Sequence, residues 1–423
     1  MKTVRDGGYS NLTLDAVLSK SDLDTRDKSF VSNLFYGVIE MQLTIDYQLS
    51  QYLSKPLKKL KPEVLTILRL GAYQVLFLTK VPDSAAVNES IKLSKKNGAS
   101  YASGLINAVL RKVSSKGIVL PDENNKAEYL SVKYSCPLWL VNKWINEYGL
   151  TDTQEFLSAS IGSADTYIRV NTTKISSDEL IDILADEGVN SEKTYNDNTL
   201  IINLNGRDIE KLDSFKKGYY HVQDMASQLC AKALGAKEYD IVFDLCSAPG
   251  GKAYTVAEMM NDKGKVICFD IYENRVNLIV KGAGRLGLSS IEGRVGDASV
   301  FNSELGLADK VLCDVPCSGL GIIRRKPEIK YKSEEELADL PEIQYSIVDN
   351  AANYVKVGGR LVYSTCTLSK AENEEIVAKF LKNHKDFRPT PLFENGEGIT
   401  NITLMPHKNE SDGFFIACFE RDG

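Results

Sequence analysis

The stretch that most restricts the fold runs from about Tyr239 to the end of the chain. Short continuous apolar runs, "DIVFDLC", "KVICFD", "DKVLCDVP" and "RLVYSTC", alternate there with helical patterns such as "KAYTVAEMM", "YENRVNLIVKGAGRLG" and "IQYSIVDNAANYVKVGG". A strand without a polar face must be covered on both sides, and a parallel strand needs a long, usually helical, crossover. The pattern predicts an α/β, doubly wound parallel sheet with helices on both faces. "DGFFIACFE" reads as a late edge strand.

Ligands of such a sheet bind beyond the carboxyl ends of its strands. Five segments bring polar residues there: "DLCSAPGGK", "FD", "GDA", "DVPCSG" and "STCT". In the first, Gly250 and Gly251 let backbone approach a ligand just before a helix N-terminus with free N–H donors. No G-x-G-x-x-G is present, which disfavours a nicotinamide dinucleotide, and Ala253 after Lys252 disfavours a P-loop. Asp270 lies 20 residues beyond Gly250, the spacing at which a carboxylate accepts from ribose hydroxyls. A nucleoside cofactor without pyrophosphate fits, S-adenosylmethionine foremost, and Asp297 in "GDA" is placed to accept from an adenine amino group. Each aspartate alone reads equally as a cap or turn former. Asp270, Asp297 and Asp314 in register on successive strands favour a site.

Cys317 and Cys366 end two neighbouring strands. Attack on C6 of a pyrimidine needs a soft nucleophile that can later leave, which suits a thiolate. Addition makes C5 electron-rich enough to take a methyl group from a sulfonium. A second group near C5 then helps the proton and the cysteine depart. Two buried strand cysteines are the ordinary alternative, and Cys268 and Cys313, earlier in their strands, fit it better. The eight cysteines show no C-x-x-C and no dense disulfide spacing, and there are three histidines, so no metal site is expected.

The first 135 residues read as a helical bundle. "PEVLTILRLGAYQVLFL" has Pro62 at a first helical position and apolar residues at helical spacing. "LPDENNKAEYLSVKYSCP" marks a boundary, and "PLWLVNKWINEYG" a short helix stopped at Gly149. "TYIRVNTTKI" and "TLIINLNG" then read as strands around a helix with a Ser176–Glu179 capping box. Three domains follow: helical 1–135, small α+β 136–220, and α/β 221–423. Net charge is −6, yet residues 1–135 hold 19 basic and 13 acidic residues, and the rest 32 and 44. A basic front on an acidic body favours a local nucleic-acid contact, at Lys55, Lys58, Lys59 and Lys61 and in "IIRRKPEIK" at Arg324, Arg325 and Lys326. A solvated surface explains the same charges. No apolar run is long enough to span a membrane, and "MKTVRDGGYS" is not a signal peptide, so a cytoplasmic protein is expected.

Together "DLCSAPGGK", "GDA", "DVPCSGLG" with "RRKPEIK", and "YSTCTLSKAENE" resemble the RNA 5-methylcytosine methyltransferases that carry a Pro-Cys and a Thr-Cys motif. At the front, "DKSFVSNLFYGVIE", "ILRLGAYQVLFLTKVPDSAAVNESIKLSKK" and "LINAVLRKV" resemble the RNA-binding domain related to NusB. The combination is similar to the bacterial 16S rRNA cytosine-5 methyltransferase family RsmB (also Sun or Fmu). The resemblance implies a multidomain protein: an all-α NusB-like bundle, an RRM-like α+β RNA-binding module and a Rossmann-like methyltransferase domain. It implies Cys366 as nucleophile, Cys317 in product release, and Asp314 on the cytosine ring near the methionine end of the cofactor. Cys246, Ser247, Ala248, Pro249, Gly250, Gly251 and Lys252, with Asp270 and Asp297, would hold S-adenosylmethionine, which leaves as S-adenosylhomocysteine. Lys252 serves either the cofactor or the target nucleotide. The implied partner is 16S rRNA, met by a monomer. Lys326 and Cys136 stand where the family commonly has histidine. Other readings are the same reaction on tRNA, an RNA-binding factor with a dead catalytic domain (disfavoured because Cys366, Cys317 and Asp314 are all present), and an oxidoreductase, which lacks its glycine turn.

Overall fold

A computed structural model describes residues 10–394 and 398–423; the leading segment read as no signal peptide lies, but for Ser10, outside them. The chain divides into two compact units, one of residues 1–162 with Ile323–Lys332, the other of Ser163–Ile322 with Ser333–Gly423.

The first unit is helical. Helices Thr25–Glu40, Gln42–Ser50, Pro62–Phe77, Asp83–Lys96 and Ser103–Lys116 bury Val38, Ile45, Leu49, Leu68, Ile106 and Leu110 in one core. Pro62 opens its helix. Gly149 stops the short helix as expected: at φ 83° and ψ 169° it is non-helical, and a second helix begins beyond it, so that Leu138–Ala159 is two helices meeting at a kink. The segment Ile323–Lys332 completes this unit. Lys330 donates to the Glu40 carbonyl at 2.7 Å, and Tyr331 to the Ile39 carbonyl at 2.7 Å. Both carbonyls lie in the last turn of Thr25–Glu40, where a helix lacks N–H partners. Burial lowers the Lys330 pKa to about 8.

The second unit opens with a four-stranded antiparallel sheet of β1 (Thr166–Val170), β2 (Asn190–Lys193), β3 (Thr199–Asn203) and β4 (Tyr220–Val222), in the order β2-β3-β1-β4. Helix Ser177–Asp186, with the expected capping box, packs Leu180 and Leu184 on Ile168, Val170 and Leu200.

Its main sheet contains β5 (Ile241–Asp244), β6 (Lys265–Asp270), β7 (Ile291–Val295), β8 (Ala308–Asp314), β9 (Val355–Thr365), β10 (Phe387–Pro389), β11 (Asn401–Leu404) and β12 (Phe414–Arg421). The order is β10-β12-β9-β8-β5-β6-β7, with β11 also on β12. Strands β5 to β9 pair in parallel, whereas β12 runs antiparallel beside β9. Alternate residues enter opposite cores: Leu312, Val362 and Ile416 face helices Met225–Ala233, Gly251–Met259 and Glu273–Leu286, while Cys313, Tyr363 and Phe415 face Leu340–Ala352 and Glu374–Asn383. Burial on both faces explains the unbroken apolar runs. One expectation fails: β12 is not an edge, because β10 and β11 cover it. Those strands are too short and polar to be read from "FRP" and "NITL".

Candidate active site

Strand order reverses between β5 and β8, which places the ligand crevice at their carboxyl ends. After β5 the chain turns through Cys246–Gly250 into helix Gly251–Met259. Ser247 donates its N–H to the Phe269 carbonyl at 2.8 Å, pinning the loop to β6. Gly250 sits at φ 106°, and a Cβ there would meet the Tyr254 ring at 2.4 Å, so the turn requires glycine. The fold of the loop leaves Asp244 Oδ1 and Ser247 Oγ buried with no protein partner. Burial first of all raises the Asp244 carboxyl to about 7.

Beyond β6 and β7 a cavity of about 260 Å³ opens, walled by Leu245, Phe269, Ala298 and Tyr354, with Asp297 on its lining. Its apolar walls and polar rim suit a flat heteroaromatic ring. Asp297 is exposed and accepts from the Ser299 N–H (2.9 Å) and hydroxyl (2.7 Å), which hold it below the usual carboxylate range. It is thus a turn former and a cavity residue at once. Asp270 is buried at the end of β6, accepting from the Tyr272 N–H at 3.1 Å and pairing with Arg275 at 3.1 Å. Buried unpartnered acceptors and donors, a glycine turn and an apolar cavity within one crevice fit S-adenosylmethionine.

At the end of β8, Asp314 accepts from Lys252 Nζ at 2.6 Å and from the Ser364 hydroxyl at 2.8 Å. Burial opposes the charge of Lys252, but Asp314, Cys230 and Cys366 around it outweigh burial and raise its pKa. Phe414 lies 5.1 Å beneath the ammonium. Three residues on, Cys317 Sγ comes within 3.3 Å of Cys366 Sγ, the two loops following adjacent strands β8 and β9. The hydrogen bond to Cys366, then burial, pushes the Cys317 thiol well up. Gly321 donates its N–H to the Cys366 carbonyl at 3.0 Å and accepts from the Gly413 N–H at 2.9 Å. A Cβ on Gly321 would stand 2.0 Å from the Gly413 carbonyl oxygen. That approach explains the second glycine of "CSGLG".

Sequence reasoning thus assembles Cys246–Lys252, Asp314, Cys317 and Cys366 in one crevice, with Asp270 and Asp297 at neighbouring strand ends. It missed Ser364, two residues before Cys366, although "STC" carries that signal, and Arg275, whose helix position gives none. Cys268 and Cys313 are buried, as are Cys136, Cys230 and Cys418. Lys55, Lys58, Lys59 and Lys61 are exposed on the helical unit, as is Lys326, while Arg324 and Arg325 are half-buried and already have partners in the protein. No helix among the described residues is long and apolar enough to cross a membrane.

Family models match three successive parts of the chain: the NusB family over residues 3–115, the RsmF/B-like ferredoxin-like domain over 136–207, and the 16S rRNA methyltransferase RsmB/F over 231–420. The "probable ribosomal RNA small subunit methyltransferase B" of Bacillus subtilis (strain 168) is 35% identical over 441 aligned positions, covering 100% of this chain and 97% of the relative. "Ribosomal RNA small subunit methyltransferase B" of Photorhabdus laumondii is 30% identical, with 98% and 95% covered. Among solved structures, PH0851 superposes with a TM-score of 0.81 at 27% identity, covering 96% of this chain and 93% of that one. NSun6 from Pyrococcus horikoshii, solved with SFG, shares the fold at TM-score 0.60 and 23% identity, with 67% and 97% covered. A relative matched end to end at this identity, and family models over all three parts, place the chain in the ribosomal RNA small subunit methyltransferase B family.

Proposed function

We propose that this protein methylates C5 of a specific cytosine in 16S rRNA through a covalent bond between Cys366 Sγ and C6. The observation that carries the reading is the 3.3 Å approach of Cys317 and Cys366 beside the Lys252–Asp314 pair, at the point where strand order reverses. The Cys366 thiolate adds to C6 and the C5=C6 π pair moves to C5. Asp314 orients the cytosine ring, and Lys252 holds Asp314. S-adenosylmethionine, when bound, supplies the methyl group to C5 and leaves as S-adenosylhomocysteine. The C5 proton then passes to water or another base at C5, its C–H electron pair re-forms C5=C6, and the C6–S pair departs with Cys366, a release that Cys317 assists.

Cys246–Lys252 with Asp270 and Asp297 would hold the cofactor, Asp270 accepting from its ribose hydroxyls and Asp297 from its adenine amino group, with Asp314 near its methionine end. The target base must leave its stack, because C5 and C6 of a stacked cytosine are shielded. Helical residues 1–135 and the module 136–220 grip RNA ahead of the catalytic domain 221–423, with Lys55, Lys58, Lys59, Lys61, Arg324, Arg325 and Lys326 on phosphates. The protein works as a cytoplasmic monomer.

The test incubates Cys317→Ala with S-adenosylmethionine and unmodified small-subunit rRNA on a denaturing gel. A slow-migrating protein–RNA adduct, absent when Cys366 is also replaced, is expected. Normal methylation without adduct would remove Cys317 from the mechanism, and neither adduct nor methyl transfer would refute the cytosine reading.

A further inference from the structure

Glu372, six residues after Cys366, is only 3% exposed, and its hydrogen bonds come from neutral donors. The Ser318 N–H donates to it at 2.9 Å, the Ser318 hydroxyl at 2.7 Å and the Gln344 amide at 2.9 Å. Since the one hydroxyl proton of Ser318 goes to Glu372, the Thr367 hydroxyl must donate to Ser318 across the 2.6 Å between them. Ser318 follows Cys317 and Thr367 follows Cys366, so one chain of hydrogen bonds, Thr367 to Ser318 to Glu372, ties the two thiol loops together. Gln344 also donates to the Pro316 carbonyl at 3.0 Å, on the other side of Cys317. The backbone around Cys317 is therefore held from both sides, and the carboxylate is the hub.

All three bonds run into Glu372, the pattern of an acceptor-only carboxylate, and a buried carboxylate bonded only to neutral groups acts over several ångströms of low-dielectric interior. The groups facing Cys317 are Cys366, Glu372, Asp314 and the phenol of Tyr363, which itself donates to the Glu372 carbonyl at 2.6 Å. Cys366 has the ammonium of Lys252 on its side. Negative charge thus sits by one sulfur and positive charge by the other.

We propose that Glu372 is a positioning residue that makes the two thiols unequal: it anchors Ser318, and its charge keeps the last proton of the Cys317–Cys366 pair on Cys317. The pair gives one proton to solvent. The proton that stays on Cys317 donates to Cys366, and the electron pair left by the Cys366 S–H bond is the one available to attack. This deepens the reading above and rests on it for the consequence in catalysis, but the asymmetry itself can be read without RNA.

The test is initial alkylation of the full-length protein by iodoacetamide between about pH 6 and 10, read by peptide mass spectrometry at Cys317 and Cys366. Wild type is expected to react first at Cys366. Glu372→Gln removes the charge while its amide oxygen still accepts from the Ser318 N–H and the Gln344 amide, the new NH2 donating to the Ser318 hydroxyl instead of accepting from it. It is expected to raise the Cys317-to-Cys366 labelling ratio about tenfold, the effect of one pKa unit. Glu372→Asp keeps the charge and is expected to hold the ratio within about twofold of wild type. An unchanged ratio in Glu372→Gln, or an equal rise in both variants, overturns the proposal. Should Glu372→Gln not fold, Cys317 reacting first in Glu372→Asp overturns it. A shifted ratio in a protein that methylates no cytosine sinks the catalytic reading and leaves the role of Glu372 standing.

Discussion

Lys252 Nζ lies 2.6 Å from Asp314 Oδ2, joining the helix that leaves β5 to the tip of β8 across the crevice between them. The pair sits largely out of water, with side-chain exposures of 12% and 28%. Removing one partner of a buried pair leaves the other uncompensated, whereas removing both can be nearly neutral.

Lys252→Met is therefore expected to destabilise the protein by about 2–3 kcal/mol in urea unfolding, with Asp314→Asn costing less. The double variant should fall short of the sum by about 1–2 kcal/mol, the coupling of two touching side chains. Strict additivity would mean that Asp314 is held by Ser364 alone.

Gly321→Ala places a methyl group against the Gly413 carbonyl oxygen, where only 2.0 Å is available. Overpacking of this kind costs about 1–3 kcal/mol. The strand ends must part to relieve it, and an ångström of displacement between reacting groups lowers turnover roughly a hundredfold. Methyl transfer measured beside the melting temperature checks both; full activity in the variant would show that the close approach of these loops is dispensable.

Asp244 gives a pH signature. Its folded pKa of about 7 stands above the unfolded value near 3.8, so the folded state holds the proton more tightly. The stability this contributes is complete below about pH 4 and disappears as pH rises through about 7. Asp244→Asn should flatten that part of the stability curve and be the more stable protein, relative to wild type, at pH 8. A wild-type curve unaffected by the substitution between pH 4 and 8 would contradict the placement of the carboxyl.

Replacing Lys55, Lys58, Lys59 and Lys61 together by Ala should weaken rRNA binding and flatten its dependence on salt, the log–log slope falling by about 0.7–0.9 for each phosphate that is no longer neutralised. Alkylation of Cys366 in the free protein should not change. Filter binding between about 50 and 200 mM salt measures the slope, and an unaltered slope would move the RNA-binding face elsewhere.

Legibility in the sequence followed the physics of each element. Strands β5, β6, β8 and β9 were readable because burial on both faces demands runs such as "VLCD" and "LVYS", and the loops after them because glycine, proline and cysteine have few reasons to cluster there. The short strands β2, β10 and β11 were not, since "NSEK", "FRP" and "NITL" owe their conformation to a partner strand rather than to their own pattern. The site separates in the same way. Cys317 and Cys366 could be found as residues, but their 3.3 Å approach depends on β8 and β9 lying side by side, which depends on helix Leu340–Ala352 returning the chain. Glu372 looked like one acid among several in "KAENEE"; only burial distinguishes it.

The segment Ile323–Lys332 has a consequence for biosynthesis. The helical unit ends its first run at residue 162 but receives Lys330 and Tyr331, the donors to the Glu40 and Ile39 carbonyls, from a part of the chain made 168 and 169 residues later. At about 5–20 residues per second that is a delay of roughly 10 to 30 s, during which these two carbonyls can be satisfied only by water. A fragment cut at residue 162 stays permanently in that unfinished condition, so an autonomous helical domain prepared for RNA-binding work needs the decapeptide grafted back or added in trans.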